Sequence, residues 1–183
     1  LGALRLAVAD AALGRLDDKR LENISQTVSE ILEDLGSHKF PSEERSPKDK
    51  PVKRNVVDLI TRKPGLAVFC TPGLGRLDIC AAMVLSDFLK RGGANAKMAA
   101  ATPAIGAEIV CVCFLESITE ARRDYTIRKL SRQAPAAKVL VCLLGEQGAG
   151  GVEGRSNGAA CSLSAAVTAI EKSVALSLDR REQ

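Results

Sequence analysis

Aromatic residues are scarce in this chain: they make up 3% of it, and tryptophan is absent. A core built without them is aliphatic and alanine-rich. A surface without them offers almost nothing on which bases could stack, and a net charge of +4 is too mild to argue for nucleic acid. Histidine occurs once, as His38, so no histidine is available for a catalytic triad. No apolar run approaches the ~18 residues that span a bilayer. The glycine-rich stretch 145–158 has no Gly-Lys-Ser/Thr ending, so the phosphate-binding P-loop is missing. The start, Leu1-Gly2-Ala3-Leu4-Arg5, has neither the basic leader nor the cleavage site of a signal peptide. A chain that opens without methionine reads as a fragment of something longer.

Six cysteines are present: Cys70, Cys80, Cys111, Cys113, Cys142 and Cys161. None forms a Cys-x-x-Cys pair, and most fall inside expected strands. They read as small buried hydrophobes of a reducing compartment. A zinc site would want clustered ligands, and His38 lies far from them along the chain. At 183 residues and 46% hydrophobic the chain suits one good core with some tens of residues to spare.

The stretch Leu66 to Arg91 organises the rest. Leu66-Ala67-Val68-Phe69-Cys70 is five consecutive apolar residues, as in a strand covered on both faces. Thr71 to Leu77 is a glycine turn. Asp78 is an N-cap candidate for an apolar helix, because its carboxylate can accept from first-turn amides. Arg91-Gly92-Gly93 ends that helix, with glycine available for a left-handed cap. This is the opening half of a βαβ unit.

Before it, residues 1–36 read as a helical hairpin. A short helix at 2–13 is broken by Gly14, and a second runs from about Asp17 to Leu35, with Leu16 and Leu21 as a staple around Asp17. Leu21, Ile24, Val28, Ile31 and Leu35 alternate three and four apart, the spacing of a coiled-coil seam. The stripe packs on the hairpin itself or on the main domain, or it serves a homodimer or docking partner. Residues 37–64 hold Pro41, Pro47, Pro51 and Pro64 among crowded charges and read as an extended, charged linker with a short element at 55–61.

After it, 96–100 is a weak second strand and Ile109 to Leu115 a strong, central third. Ser117 or Thr119 caps a helix to about Gln133 whose outer face is basic (Arg122, Arg123, Arg128, Lys129, Arg132), either solvated or a patch for phosphates or acidic partners. Lys138 to Leu144 is a fourth strand, 145–158 a mobile loop and 158–163 a short fifth strand. Ser162 or Ser164 caps a last helix carrying Val167, Ile170, Val174 and Leu178. Alternating strands and helices with all-apolar strands predict an α/β fold over 65–183. Its sheet is parallel, with four to five strands in the flavodoxin-like order 2-1-3-4-5 and flanking helices. About seven residues join strands two and three, fewer than the dozen a parallel crossover normally needs.

In this topology ligands bind past the carboxyl ends of strands one and three. Candidate ligand-binding residues are therefore Thr71, Gly73, Gly75, Arg76 and Ser117. Gly73-Leu-Gly75-Arg-Leu-Asp78 is a near miss to the dinucleotide fingerprint G-x-G-x-x-G. Aspartate replaces the third glycine and would repel phosphate. The acidic ribose partner expected about twenty residues on is missing, and that region offers Lys97. Paired carboxylates at strand ends are lacking apart from Glu116. No catalytic residue, metal or cofactor is expected, and the chain does not read as an enzyme.

Several segments in order carry a resemblance. They are Ala3-Leu4-Arg5-Leu6-Ala7, Gly14-Arg15-Leu16-Asp17 and Val28-Ser29-Glu30-Ile31-Leu32-Glu33-Asp34-Leu35. A proline-rich spacer follows, then Leu77-Asp78, Val110-Cys111-Val112-Cys113 and Tyr125-Thr-Ile127-Arg128-Lys129-Leu130. Together they resemble the cytoplasmic C-terminal region of the autoinducer-2 exporter family of predicted permeases. The resemblance implies a cobalamin-binding-like, Rossmann-like α/β domain. It also implies a place on the cytoplasmic side of the inner membrane, with the membrane portion of the same polypeptide as partner. The cobalamin loop Asp-x-His-x-x-Gly has no counterpart, since Pro72-Gly73-Leu74-Gly75-Arg76 stands there, so cofactor binding does not carry over. The expected function is a non-catalytic regulatory or interaction domain of a transporter-like membrane protein. The alternative is a sensor for a nucleotide or phosphorylated metabolite.

Overall fold

A computed structural model describes residues 1–37, 66–98, 106–145 and 159–179, with side chains to 175. The elements are α1 (Gly2–Ala12), α2 (Asp18–Ser37), β1 (Ala67–Pro72), α3 (Asp78–Arg91), β2 (Asn95–Met98), β3 (Ile109–Phe114), α4 (Glu120–Gln133), β4 (Lys138–Leu143) and α5 (Leu163–Asp179). The expected linker, from 38 on, and the glycine loop, from 146 on, lie outside the described residues.

Four strands form one parallel sheet in the order β2-β1-β3-β4. Every residue of β3 is buried, as its unbroken apolar run requires of a central strand, whereas β2 buries one residue in four at the edge. The expected fifth strand is reduced to one bridge: Ala160 pairs beside Cys142, donating to the Val141 carbonyl and accepting from the Leu143 amide. Ten residues, 99–108, separate β2 from β3, which lie on either side of β1. At roughly 3.3 Å per residue this stretch reaches about 33 Å, more than the two ~4.8 Å strand spacings and the short strand it must retrace.

The sheet's two faces are covered differently. On one, Val68, Cys70, Cys111, Cys113 and Cys142 pack beneath α3 and α5, through Cys80, Ala81, Leu85, Val167, Ile170 and Val174. Leu4 of α1 joins the same cluster, and Leu21, Ile24 and Val28 of α2 pack against it. On the other face Phe69, Val110, Val112 and Phe114 meet Leu130 of α4. Buried aliphatic area of this kind, at about 25 cal/mol per Å², is the main favourable term for a chain so poor in aromatics.

The seam on α2 is thus divided. Its first half packs toward α3, while Ile31 and Leu35 stay exposed. Arg91 of α3 braces the far end of α2 by donating to the Leu35 and Leu32 carbonyls; that of Leu35 lies in the last turn, where no amide of the helix is left to reach it. Asp17 starts α2 as expected, its carboxylate accepting the Arg20 amide at 2.8 Å. Gly93, at φ +83°, ends α3: the Gly93 amide reaches the Lys90 carbonyl and the Ala94 amide the Leu89 carbonyl. This is the left-handed glycine cap. Ser162 caps α5 by accepting the Ala165 amide. Thr119 precedes α4 in extended backbone without a side-chain cap bond.

Candidate functional site

Beyond the carboxyl ends of β1 and β3, the turn 73–77 faces the loop 115–119. The parallel sheet brings them together because β1 and β3 are neighbours in register, Pro72 opposite Cys113. Between them lies a cleft of about 140 Å³, lined by Leu74, Gly75, Asp78, Phe114, Glu116, Ser117, Ile118, Thr119 and Arg122.

Asp78 is the centre of this arrangement. It was expected to cap α3, but the cap position belongs to Leu77 and Asp78 is the first helical residue. Its carboxylate is almost fully buried. Oδ2 accepts from the Gly75 amide at 2.7 Å, inside its own turn. Oδ1 accepts from the Leu115 amide at 2.6 Å and the Glu116 amide at 3.0 Å, across the cleft. One side chain therefore ties the first turn to the end of the central strand. The sequence shows an acid at a helix start but not the two amides 37 and 38 residues away that draw it aside.

Glu116 completes the tie in the reverse direction. Its Oε1 accepts the Leu77 amide at 2.9 Å. A carboxylate bonded to backbone N–H makes a short, strong bond, and a buried amide left without one costs 1–3 kcal/mol, as an order of magnitude. The amides of Gly75 and Leu77 are the groups a pyrophosphate would need at this helix start. Two carboxylates of the chain itself hold them.

The glycines of the turn serve the same closure. A Cβ on Gly73 would stand 2.3 Å from the Phe114 ring and 2.5 Å from Asp78 Oδ2, and one on Gly75 would stand 2.4 Å from the Glu116 carboxyl. They are glycines because the end of β3 presses against them. Gly73 also donates its amide to the Cys113 carbonyl at 2.8 Å.

Of the candidate ligand residues, Gly75 and Ser117 line the cleft together. Thr71 is buried in β1, and Gly73 lies beneath the ring of Phe114. Arg76 turns outward to an ion pair with Asp18 of α2. Thr119, in the loop expected to border the crevice, and Arg122, expected only on the basic helix face, complete the wall with Phe114, which was not singled out for ligand binding. Phe114 is the last residue of β3 and Arg122 stands in the first turn of α4, so the signal that could have found them is their place at the end of the central strand and the start of the helix that follows it. Of the basic helix face, Arg123 pairs with Glu120 at 3.2 Å and Asp124 at 3.8 Å.

A second concentration of chemistry lies within the sheet. Cys70 stands opposite Cys111, and Cys113 opposite Cys142, on one face of three adjacent strands. The neighbouring Cys142 thiol, then Cys70 and burial, raise Cys111. Cys142 and burial likewise raise Cys113. The same neighbours act on Cys142 in the opposite sense and lower it. Burial raises Cys80, partly offset by the Ser25 hydroxyl. All five are inside the core, and Cys161 alone is partly exposed. Among the described residues no group of three or more His, Cys, Asp or Glu is arranged to hold a metal ion.

Fold and site define a class: a Rossmann-like parallel α/β domain whose strand-end cleft is closed by its own carboxylates. Comparison with protein-family models, curated proteins and solved structures finds no match. A corrin does not fit this site. The cleft is well under the ~300–1,000 Å³ of pockets that enclose drug-sized ligands, and a corrin is larger than those.

Proposed function

We propose that this chain is a non-catalytic regulatory or interaction domain of a transporter-like membrane protein, placed on the cytoplasmic side of the inner membrane. One observation carries the non-catalytic part. Asp78 and Glu116, the two acids of the strand-end cleft, are bonded to backbone amides of the opposite segment. Groups held in this way fix a shape. The transporter part rests on the resemblance in the order of segments. Among the described residues no helix is long and apolar enough to cross a membrane, so the membrane portion would be contributed by other parts of the polypeptide.

The packing of the N-terminal helices supports a regulatory role. Leu4 is buried in the sheet's core cluster, and Arg5 donates from Nε to the Leu144 carbonyl at the end of β4. A displacement of α1 would therefore be felt at the strand ends. The natural gene product provides the test. Tagged at its own locus and extracted with alkaline carbonate, it is expected in the membrane pellet. Full recovery in the supernatant would overturn the assignment.

The sensor reading is supported in a narrower form. Glu116, Ser117, Thr119 and Arg122 offer polar groups to a small molecule in the cleft. A nucleotide would have to displace two carboxylates from the amides it needs. A thermal-shift series is expected to show no nucleotide effect; a saturable rise with any nucleotide would reverse that order.

A further inference from the structure

A second cavity lies away from the strand ends, between α2 and α3. It has a volume of about 240 Å³ and is walled by Leu32 and Glu33 of α2, Met83, Ser86 and Lys90 of α3, and Met98 of β2. Two observations set it apart from a simple packing seam. The first is Ser86. Its residue is 2% exposed and its Oγ has no hydrogen-bond partner. A hydroxyl in a helix ordinarily bonds back to the carbonyl four residues earlier, as Thr126 and Ser173 do here. Ser86 does not, and a buried polar atom without a partner is costly enough to call for an explanation. The second is methionine. The chain has two, Met83 and Met98, and both line this cavity. Methionine is the side chain that adapts most readily to apolar guests of varied shape.

We infer that this groove is a binding site for a small, uncharged aliphatic molecule carrying one hydroxyl or carbonyl group, which bonds to Ser86 Oγ while its chain lies against Met83, Met98 and Leu32. The volume fits, since an apolar cavity of roughly 150 Å³ takes up a benzene-sized guest. The rim argues for an uncharged head: it carries Glu33 and Lys90, one of each sign, while Asp87 is already bound to Arg91. A charged head would gain from one and lose to the other. The same Arg91 ties α3 to the end of α2, so an occupant between these helices would be sensed where the chain leaves α2.

The two methionines make the test direct. With ¹³C-methyl methionine the protein gives two methyl signals, and both report on the groove. Titration with 1-hexanol is expected to move both signals to saturation, with hexanoate and hexylamine weaker. Ser86→Ala removes a hydroxyl that has no partner in the fold, so the variant should fold. It should weaken 1-hexanol about fivefold, the worth of one hydrogen bond. Leu32→Trp, which fills the groove from α2, should abolish the shifts. Signals that stay still, or drift without saturating, would overturn the site. Saturation with unchanged affinity in Ser86→Ala would overturn the role given to the hydroxyl. A preference for hexanoate or hexylamine would overturn the uncharged head.

Discussion

Two cavities among the described residues are built on opposite rules. At the strand ends, every carboxylate that faces the turn has found an amide. In the groove between α2 and α3, a buried hydroxyl has found nothing. The first is what a chain does when the geometry must be held. The second is what it does when a place is kept for something else, because an unpaired buried group is tolerated only where a gain offsets it. The same element, α3, contributes to both: Asp78 at its start and Ser86 two turns further on. If this difference is real, removing a polar atom from the two sites should change stability in opposite directions.

The largest effect is expected at Asp78. Replacing it with alanine leaves the amides of Gly75, Leu115 and Glu116 without an acceptor. At 1–3 kcal/mol for each buried orphan, and allowing for partial relaxation, the loss is about 4 kcal/mol. That is a large part of the stability of a domain this size. Urea unfolding followed by circular dichroism would measure it. Asp78→Asn should fall between alanine and wild type, since one oxygen remains. A cost below about 1 kcal/mol would show that the closure is loose and the comparison mistaken.

Next come the glycines. Gly73→Ala drives a methyl into the buried Phe114 ring and should cost about 2–3 kcal/mol, the scale of overpacking a well-filled core. Gly75→Ala meets the end of the Glu116 side chain, which can swing away at the expense of its bond to the Leu77 amide. About 1 kcal/mol is expected there. Glu116→Ala removes the same bond and should cost a similar amount, roughly 1–1.5 kcal/mol. The double variant should therefore cost less than the sum of the two, because both lose one interaction. Strict additivity would mean that Glu116 does not hold Leu77 in solution.

How much of this could be read beforehand depends on the range of the interaction. The strand, turn and helix from Leu66 to Arg91 were legible, because apolar runs and glycine caps are local. The order of the four strands was legible too, since an all-apolar strand such as Ile109–Phe114 has to sit in the middle. Asp78 was misread as a cap. A helix start seen in isolation offers its own amides, and nothing local reveals that β3 ends beside it. The glycines of the turn suggested a phosphate for the same reason: glycine signals a close approach without saying what approaches. The seam on α2 left its partner open between the hairpin, the main domain and a homodimer or docking partner; for Leu21, Ile24 and Val28 it is the main domain's core cluster. The cavity at Ser86 left no trace in the sequence, because a serine with a partner and one without are spelled alike.

The smallest expected effect sharpens the comparison most. In the absence of any ligand, Ser86→Ala should not destabilise the fold. It removes a hydroxyl whose desolvation is uncompensated and puts a better helix former inside α3. A gain of up to about 1 kcal/mol in unfolding free energy is expected, against a loss several times larger for Asp78→Ala in the same helix. Thiol labelling of the native variant is the control for an undisturbed core. Cys161, the one partly exposed cysteine, should react first, with the five buried thiols following at the rate of unfolding. If Ser86→Ala instead loses stability and speeds the labelling of Cys80, the hydroxyl has a partner within the folded chain, and the groove beside it is a packing gap rather than a reserved place.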